Sequence, residues 1–219
     1  MIDIQVWTRD FLAALDAQFG ARVWFAGLQG SYAREEETED SDIDMVVILD
    51  SLSPEDITAY GQMLDRLPHR NKQCGFLAGL TELEHWDKAD LFQLAFDTVP
   101  LRGSLEAVRA RLDSADVRRA IHLGACSIHH VCVHNLLYGK KESTLRGLYK
   151  QAGYLIRTIH YLDTGRFIAR QTDLLPVVDA PERAILQTCM DLRAGQPERL
   201  QEMSEALLSW AQRWVVQAG

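Results

Sequence analysis

A glycine–serine pair and two alternate aspartates, ten residues apart, restrict most severely what this 219-residue chain can become. Gly30-Ser31 closes an apolar run over residues 22–28, and Asp42-Ile43-Asp44 opens a second over Met45-Val46-Val47-Ile48-Leu49. A strand turns successive side chains to opposite faces, so Asp42 and Asp44 share one face and Ile43 takes the other. Neighbouring carboxylates repel each other unless a cation lies between them, and paired hard oxygen donors suit Mg²⁺. Gly followed by Ser after a strand permits a tight turn whose N–H groups and hydroxyl hold phosphate oxygens. The two segments read as a phosphate cradle and a metal seat on neighbouring strands.

Either motif alone is common in turns and helix starts. Their spacing and strand context carry the signal. Gly30-Ser31, ten residues, then Asp42-Ile43-Asp44 in an apolar strand resembles the signature of the polymerase-beta-type nucleotidyltransferase superfamily. The short chain and helical second half are most similar to small bacterial antibiotic adenylyltransferases, including the aminoglycoside and lincosamide enzymes.

The resemblance implies an α+β fold, with a small mixed-sheet nucleotidyltransferase domain over residues 1–112 and an all-α helical bundle over 113–219. It further implies an enzyme that transfers AMP from ATP to a hydroxyl of a small molecule. Asp42 and Asp44 would bind Mg²⁺, while Gly30 and Ser31 would hold the β,γ-phosphates. Arg34 is a further candidate phosphate contact. Many relatives carry a third carboxylate on the strand corresponding to residues 73–78, where this chain has none. Glu84, with Glu82 and Asp97 as alternatives, is the candidate base.

Helical spacing of Val6, Trp7, Phe11, Leu12, Leu15 and Phe19 predicts an amphipathic helix over residues 4–19, ended by Gly20. A brief helix follows Gly30-Ser31, and the acidic run over residues 35–40 reads as a solvated loop. Ser53-Pro54-Glu55-Asp56 signals the start of a helix running to about residue 67. Residues 73–78 read as a third short strand, 80–96 as mostly helical and 99–103 as an irregular exit. Four helices are expected over 116–137, 141–163, 180–193 and 197–216.

Within the second of these, Lys150, Tyr154, Arg157 and Tyr161 fall on one side. Lys150, Tyr154 and Arg157 are the candidate nucleotide contacts of that half, with bundle packing as the alternative. Cys126, His130 and His134 also share a helical face, beside His129, but four-coordinate zinc needs ligands that no spacing marks.

The net charge of −8 is unevenly spread. Residues 1–112 hold 10 Lys/Arg against 20 Asp/Glu, and residues 113–219 hold 13 against 11. An acidic metal-binding half and a basic helical half suit a nucleoside triphosphate and argue against an extended nucleic acid as partner. The apolar runs are too short for a membrane span, and the N-terminus lacks a signal-peptide pattern. The four cysteines form no Cys-x-x-Cys pair, so a cytoplasmic protein is expected.

A homodimer remains open, since relatives use both monomers and dimers. Two other functions also remain open: a protein-directed AMP transferase or antitoxin-like regulatory module, and a degenerate nucleotide-binding protein lacking the third carboxylate. The helical RNases that pair with minimal nucleotidyltransferases carry Arg and His at a spacing that Arg118/His122 and Arg157/His160 do not match.

Overall fold

The computed structural model describes residues 2–219, and the chain divides into two compact units, Met1–Arg111 and Leu112–Gly219. The first contains α1 (Ile4–Phe19), β1 (Val23–Gln29), α2 (Gly30–Ala33), β2 (Ile43–Leu49) and α3 (Pro54–Leu64). It continues with β3 (Gln73–Gly79), α4 (Leu80–His85), α5 (Lys88–Phe96), β4 (Val99–Arg102) and α6 (Glu106–Arg109). The strands form one mixed sheet in the order β3-β2-β1-β4. β1 runs antiparallel to β2 and β4, and β2 runs parallel to β3.

Alternation along β2 sets the layers. Ile43, Met45, Val47 and Leu49 point into a core with Trp7, Phe11, Leu15 and Phe19 of α1 and Met63 of α3. Phe11 and Leu15 are fully buried, each contributing about 1.5–3 kcal/mol on area grounds. β1 joins this core through Val23, then Ala26 and Leu28, because a register irregularity between Val23 and Phe25 reverses its alternation. Asp44, Val46 and Ile48 take the other face.

The helix expected over residues 80–96 is two helices. Trp86 is extended between them, and the Asp87 side chain caps the second by accepting from Ala89 N at 2.9 Å. Residues 99–103, expected to be irregular, contain β4. Pro100 has no N–H to give a ladder, but β4 is an edge strand, where proline is tolerated.

The second unit is all-helical, with α7 (Ser114–His134), α8 (Glu142–Thr164), α9 (Gln171–Leu174), α10 (Ala180–Arg193) and α11 (Leu200–Gln217). α7 packs on α8 and α11, and α10 packs on α8. Gly165, at φ +70°, ends α8 in a left-handed cap. A mixed-sheet unit followed by helices is the α+β class expected from sequence.

Arg22 ties β1 to the start of α3. Its Nη1 and Nη2 donate to both Asp56 oxygens at 2.6 and 2.9 Å, and its Nε donates to Asp50 at 3.1 Å. Asp56 also completes a capping box with Ser53. The Arg22 hydrogen bonds, followed by that from the Ser53 backbone, hold the Asp56 carboxyl well below the usual carboxylate range. A depressed carboxylate stabilises the fold fully above its unfolded value of about 3.9 and loses that contribution as pH falls through the folded one. Asp56→Asn should therefore lower the melting midpoint at pH 7, with the gap from wild type closing below about pH 4. Thermal melts between pH 7 and 2 measure it.

Candidate active site

The two motifs meet at one end of the sheet. β1 ends at Gln29, which pairs with Asp44, and the chain turns into α2 through Gly30 at φ +76°. A Cβ on Gly30 would lie 2.1 Å from Asp44 Oδ2. Glycine is thus required both by the left-handed backbone and by a carboxylate in the space of its missing side chain. In the parallel ladder Asp44 pairs with Cys74. Directly paired residues share a face, so Gln29, Asp44 and Cys74 form one row across three strands. Asp42, exposed, precedes β2 by one residue, and Ser31 is half-buried on α2. The Ser31 carbonyl accepts from the N–H groups of Arg34 and Glu36 at 3.2 and 2.9 Å, closing the turn.

With the Gly-Ser turn and carboxylate pair in register, comparison with known families is decisive. The nucleotidyltransferase domain family matches residues 9–111. This is a nucleotidyltransferase domain. Among solved structures, spectinomycin adenyltransferase AAD(9) from Enterococcus faecialis, with ATP and spectinomycin, matches with TM-score 0.63 and 13% identity. The match covers 96% of this chain and 98% of that one, and at this identity it shows the fold. No curated protein sequence matches significantly. Residues 9–111 therefore match the nucleotidyltransferase domain family, and the chain has an antibiotic-adenylyltransferase-like fold.

Arg34, the further candidate phosphate contact, is buried rather than exposed among its acidic neighbours. It is 3% exposed, donating through Nη1 to Asp97 Oδ2 at 2.5 Å and through Nε to Glu36 Oε2 at 3.1 Å. Asp97 lies just before β4, whose Val99 pairs with Leu28, and so belongs to the Gly30 end of the sheet. Of the three candidate bases it alone is placed at that end, where it is Arg34's buried partner.

Glu82 and Glu84 ride on α4, which begins beyond Gly79, the partner of Leu49. Five residues of strand, about 16 Å, separate that level from Asp44. Glu82 Oε2 lies at Gly79, 2.3 Å from the place of a Cβ. Glu84 is exposed and its carbonyl accepts from Arg111 Nη2. Among the described residues no group of three or more His, Cys, Asp or Glu is placed to hold a metal ion, and Glu84 follows the opposite end of the parallel strands from Asp44.

In the helical unit Lys150 is exposed and Tyr154 half-buried. Arg157, expected as a nucleotide contact, is only 1% exposed. Its Nε donates to the Ala169 carbonyl at 2.6 Å, and its guanidinium lies 5.1 Å from the Tyr154 ring centroid. Of the two cations expected on that helical side, Lys150 is exposed and Arg157 turns inward to satisfy a carbonyl. The Cys126, His130 and His134 face forms no metal-holding group among the described residues. Cys126 Sγ instead lies 3.7 Å from His122 Nε2, one turn earlier.

Two features of the nucleotidyltransferase domain were missed in sequence. Cys74 stands in Asp44's row because of a strand register that spacing alone does not give. Lys72 lies next to Gln73, the partner of Ile43, and its Nζ donates to the Glu39 carbonyl. With Tyr32, Thr38 and His69 it lines a cavity of about 270 Å³. Burial, followed by the charge of Glu37, raises the Tyr32 phenol above its ordinary value, so it remains a neutral donor near pH 7.

Two carboxylates on an open strand end fit a cation that usually takes one or two protein carboxylates and completes its shell with water and phosphate oxygens. Alanine at position 30 would have to displace the Asp44 carboxylate as well as adopt a left-handed backbone. Gly30→Ala is expected to fold, with about 1 kcal/mol less stability from the backbone alone. Its Mg²⁺-dependent affinity for ATP should fall tenfold or more, as measured by titration calorimetry.

Proposed function

We propose that the domain transfers AMP from ATP to a hydroxyl of a small molecule. The observation that carries this reading is the Asp44 carboxylate seated against the side-chain-free Gly30, which joins the phosphate cradle to the metal seat. In it, Asp42 and Asp44 hold Mg²⁺, which when bound neutralises charge on the phosphates. Gly30 and Ser31 orient the β,γ-phosphates in line for departure. The acceptor oxygen forms a bond to the α-phosphorus as the bond to pyrophosphate breaks. An aminocyclitol antibiotic such as spectinomycin is the first acceptor to test, on the strength of the structural likeness. The four cysteines are free thiols, in keeping with a cytoplasmic setting, and among the described residues no helix is long and apolar enough to cross a membrane.

Cys74 gives this reading its particular form. β3 offers a thiol where the resemblance implies a carboxylate, so the hydroxyl proton passes to water at the open face. A positioned base is worth about 10²–10⁴-fold. Cys74→Asp is therefore expected to raise turnover by about tenfold or more while leaving ATP affinity within twofold.

The same cysteine favours a second reading, a module that binds nucleotide without turning it over. Incubation with ATP, Mg²⁺ and a panel of hydroxyl-bearing antibiotics, followed by pyrophosphate release, separates the two. Acceptor-dependent release that falls about 10²-fold or more in Asp44→Asn supports transfer. ATP binding with no release from any acceptor, even in Cys74→Asp, supports the binding module. Label from ATP on a polypeptide indicates a protein-directed transferase.

A further inference from the structure

We propose that Arg34 is a positioning residue that clamps the Gly30–Ser31 turn from beneath, shaping the phosphate seat without occupying it. The functional part of this inference rests on the reading of Gly30, Ser31, Asp42 and Asp44 as a nucleotide site. The clamp itself rests on geometry alone.

The turn is bounded by two left-handed residues, Gly30 at φ +76° and Glu35 at φ +55°. The second is uncommon for a non-glycine residue and persists only where surroundings enforce it. Between them, Ser31's carbonyl takes the N–H groups of both Arg34 and Glu36. The reversal at Glu35 brings Glu36 back onto the Arg34 guanidinium, which reaches 63 residues along the chain to Asp97. The Arg34, Asp97 and Glu36 side chains are 2%, 1% and 9% exposed. A guanidinium so enclosed has its Nη1 and Nε committed to carboxylates.

Asp97 is fixed independently by the end of α5, its N–H donating to the Gln93 carbonyl at 2.9 Å, and by the adjoining β4. Arg34 thus transfers the rigidity of the sheet edge to a four-residue helix that has little of its own. Loss of the clamp would leave the Gly-Ser N–H groups free to wander. Small errors of placement at such a site are costly.

The test combines two readouts on Asp97→Asn, which keeps side-chain volume while removing charge. The first is ATP·Mg²⁺ affinity by calorimetry, well below each variant's melting midpoint. The second is amide hydrogen exchange across residues 31–37, which needs no nucleotide. A Kd weakened roughly tenfold, with faster exchange confined to the turn, is expected. A tighter Kd would show that Arg34 had been released to bind phosphate, and would overturn the proposal. An unchanged Kd with only a lowered melting midpoint would also overturn it, leaving a purely structural ion pair.

Removing one member of a buried pair can unfold a protein, so the triple variant Arg34→Met/Glu36→Gln/Asp97→Leu provides a second route that leaves no uncompensated charge among the three. It should fold, exchange faster at the turn and bind ATP·Mg²⁺ more weakly. Wild-type affinity and exchange in this variant would overturn the clamp. If wild type itself binds no ATP·Mg²⁺, the nucleotide-site reading fails, while faster or unchanged exchange in the two variants still supports or overturns the clamp.

Discussion

The first unit depends on one exclusion of volume. Asp44 Oδ2 lies where a Cβ of residue 30 would stand, so the end of β1 and the head of β2 interlock. This fixes the carboxylate relative to the turn more closely than strand pairing alone, since a ladder sets register but leaves the side chain its rotamers. It also determines what faces Asp44 laterally. Gln29 stands on one side and Cys74 on the other, an amide and a thiol around a charge.

The sheet supports that end through its division of labour. One face of β2 is committed to the aromatic stripe of α1, and the opposite face emerges at Asp44. Arg22 secures the far end, where it gathers Asp50 and Asp56. Arg34 secures the near end through Asp97 and Glu36. The far pair is solvent-accessible, whereas the near pair is enclosed, so the latter is much less screened.

What the sequence reveals follows the range of the forces involved. The α1 stripe, the Gly-Ser turn, the paired aspartates and the helix start at Ser53 rest on neighbours within a few residues, and each is readable from spacing. β4 was hidden because Pro100 argues against a strand until one knows that the strand lies at an edge. Arg34 looked solvated amid acids because its decisive partner is 63 residues away. Glu84 could be proposed as a base only while the direction of β3 was unknown: with β2 and β3 parallel, the helix after β3 starts at the wrong end. Arg157 shows the limit of helical periodicity, which groups residues on a face without saying whether that face looks inward.

The row across the sheet also bears on how such a site can drift. Its centre is constrained, because any side chain at position 30 would displace the Asp44 carboxylate. Its outer member is different: Cys74 is exposed on an edge strand with solvent before it. A lineage carrying this arrangement can therefore explore reactivity at the rim while its grip on phosphate is inherited intact. Diversification of acceptor chemistry would begin at β3 and leave the Gly30–Asp44 interlock untouched.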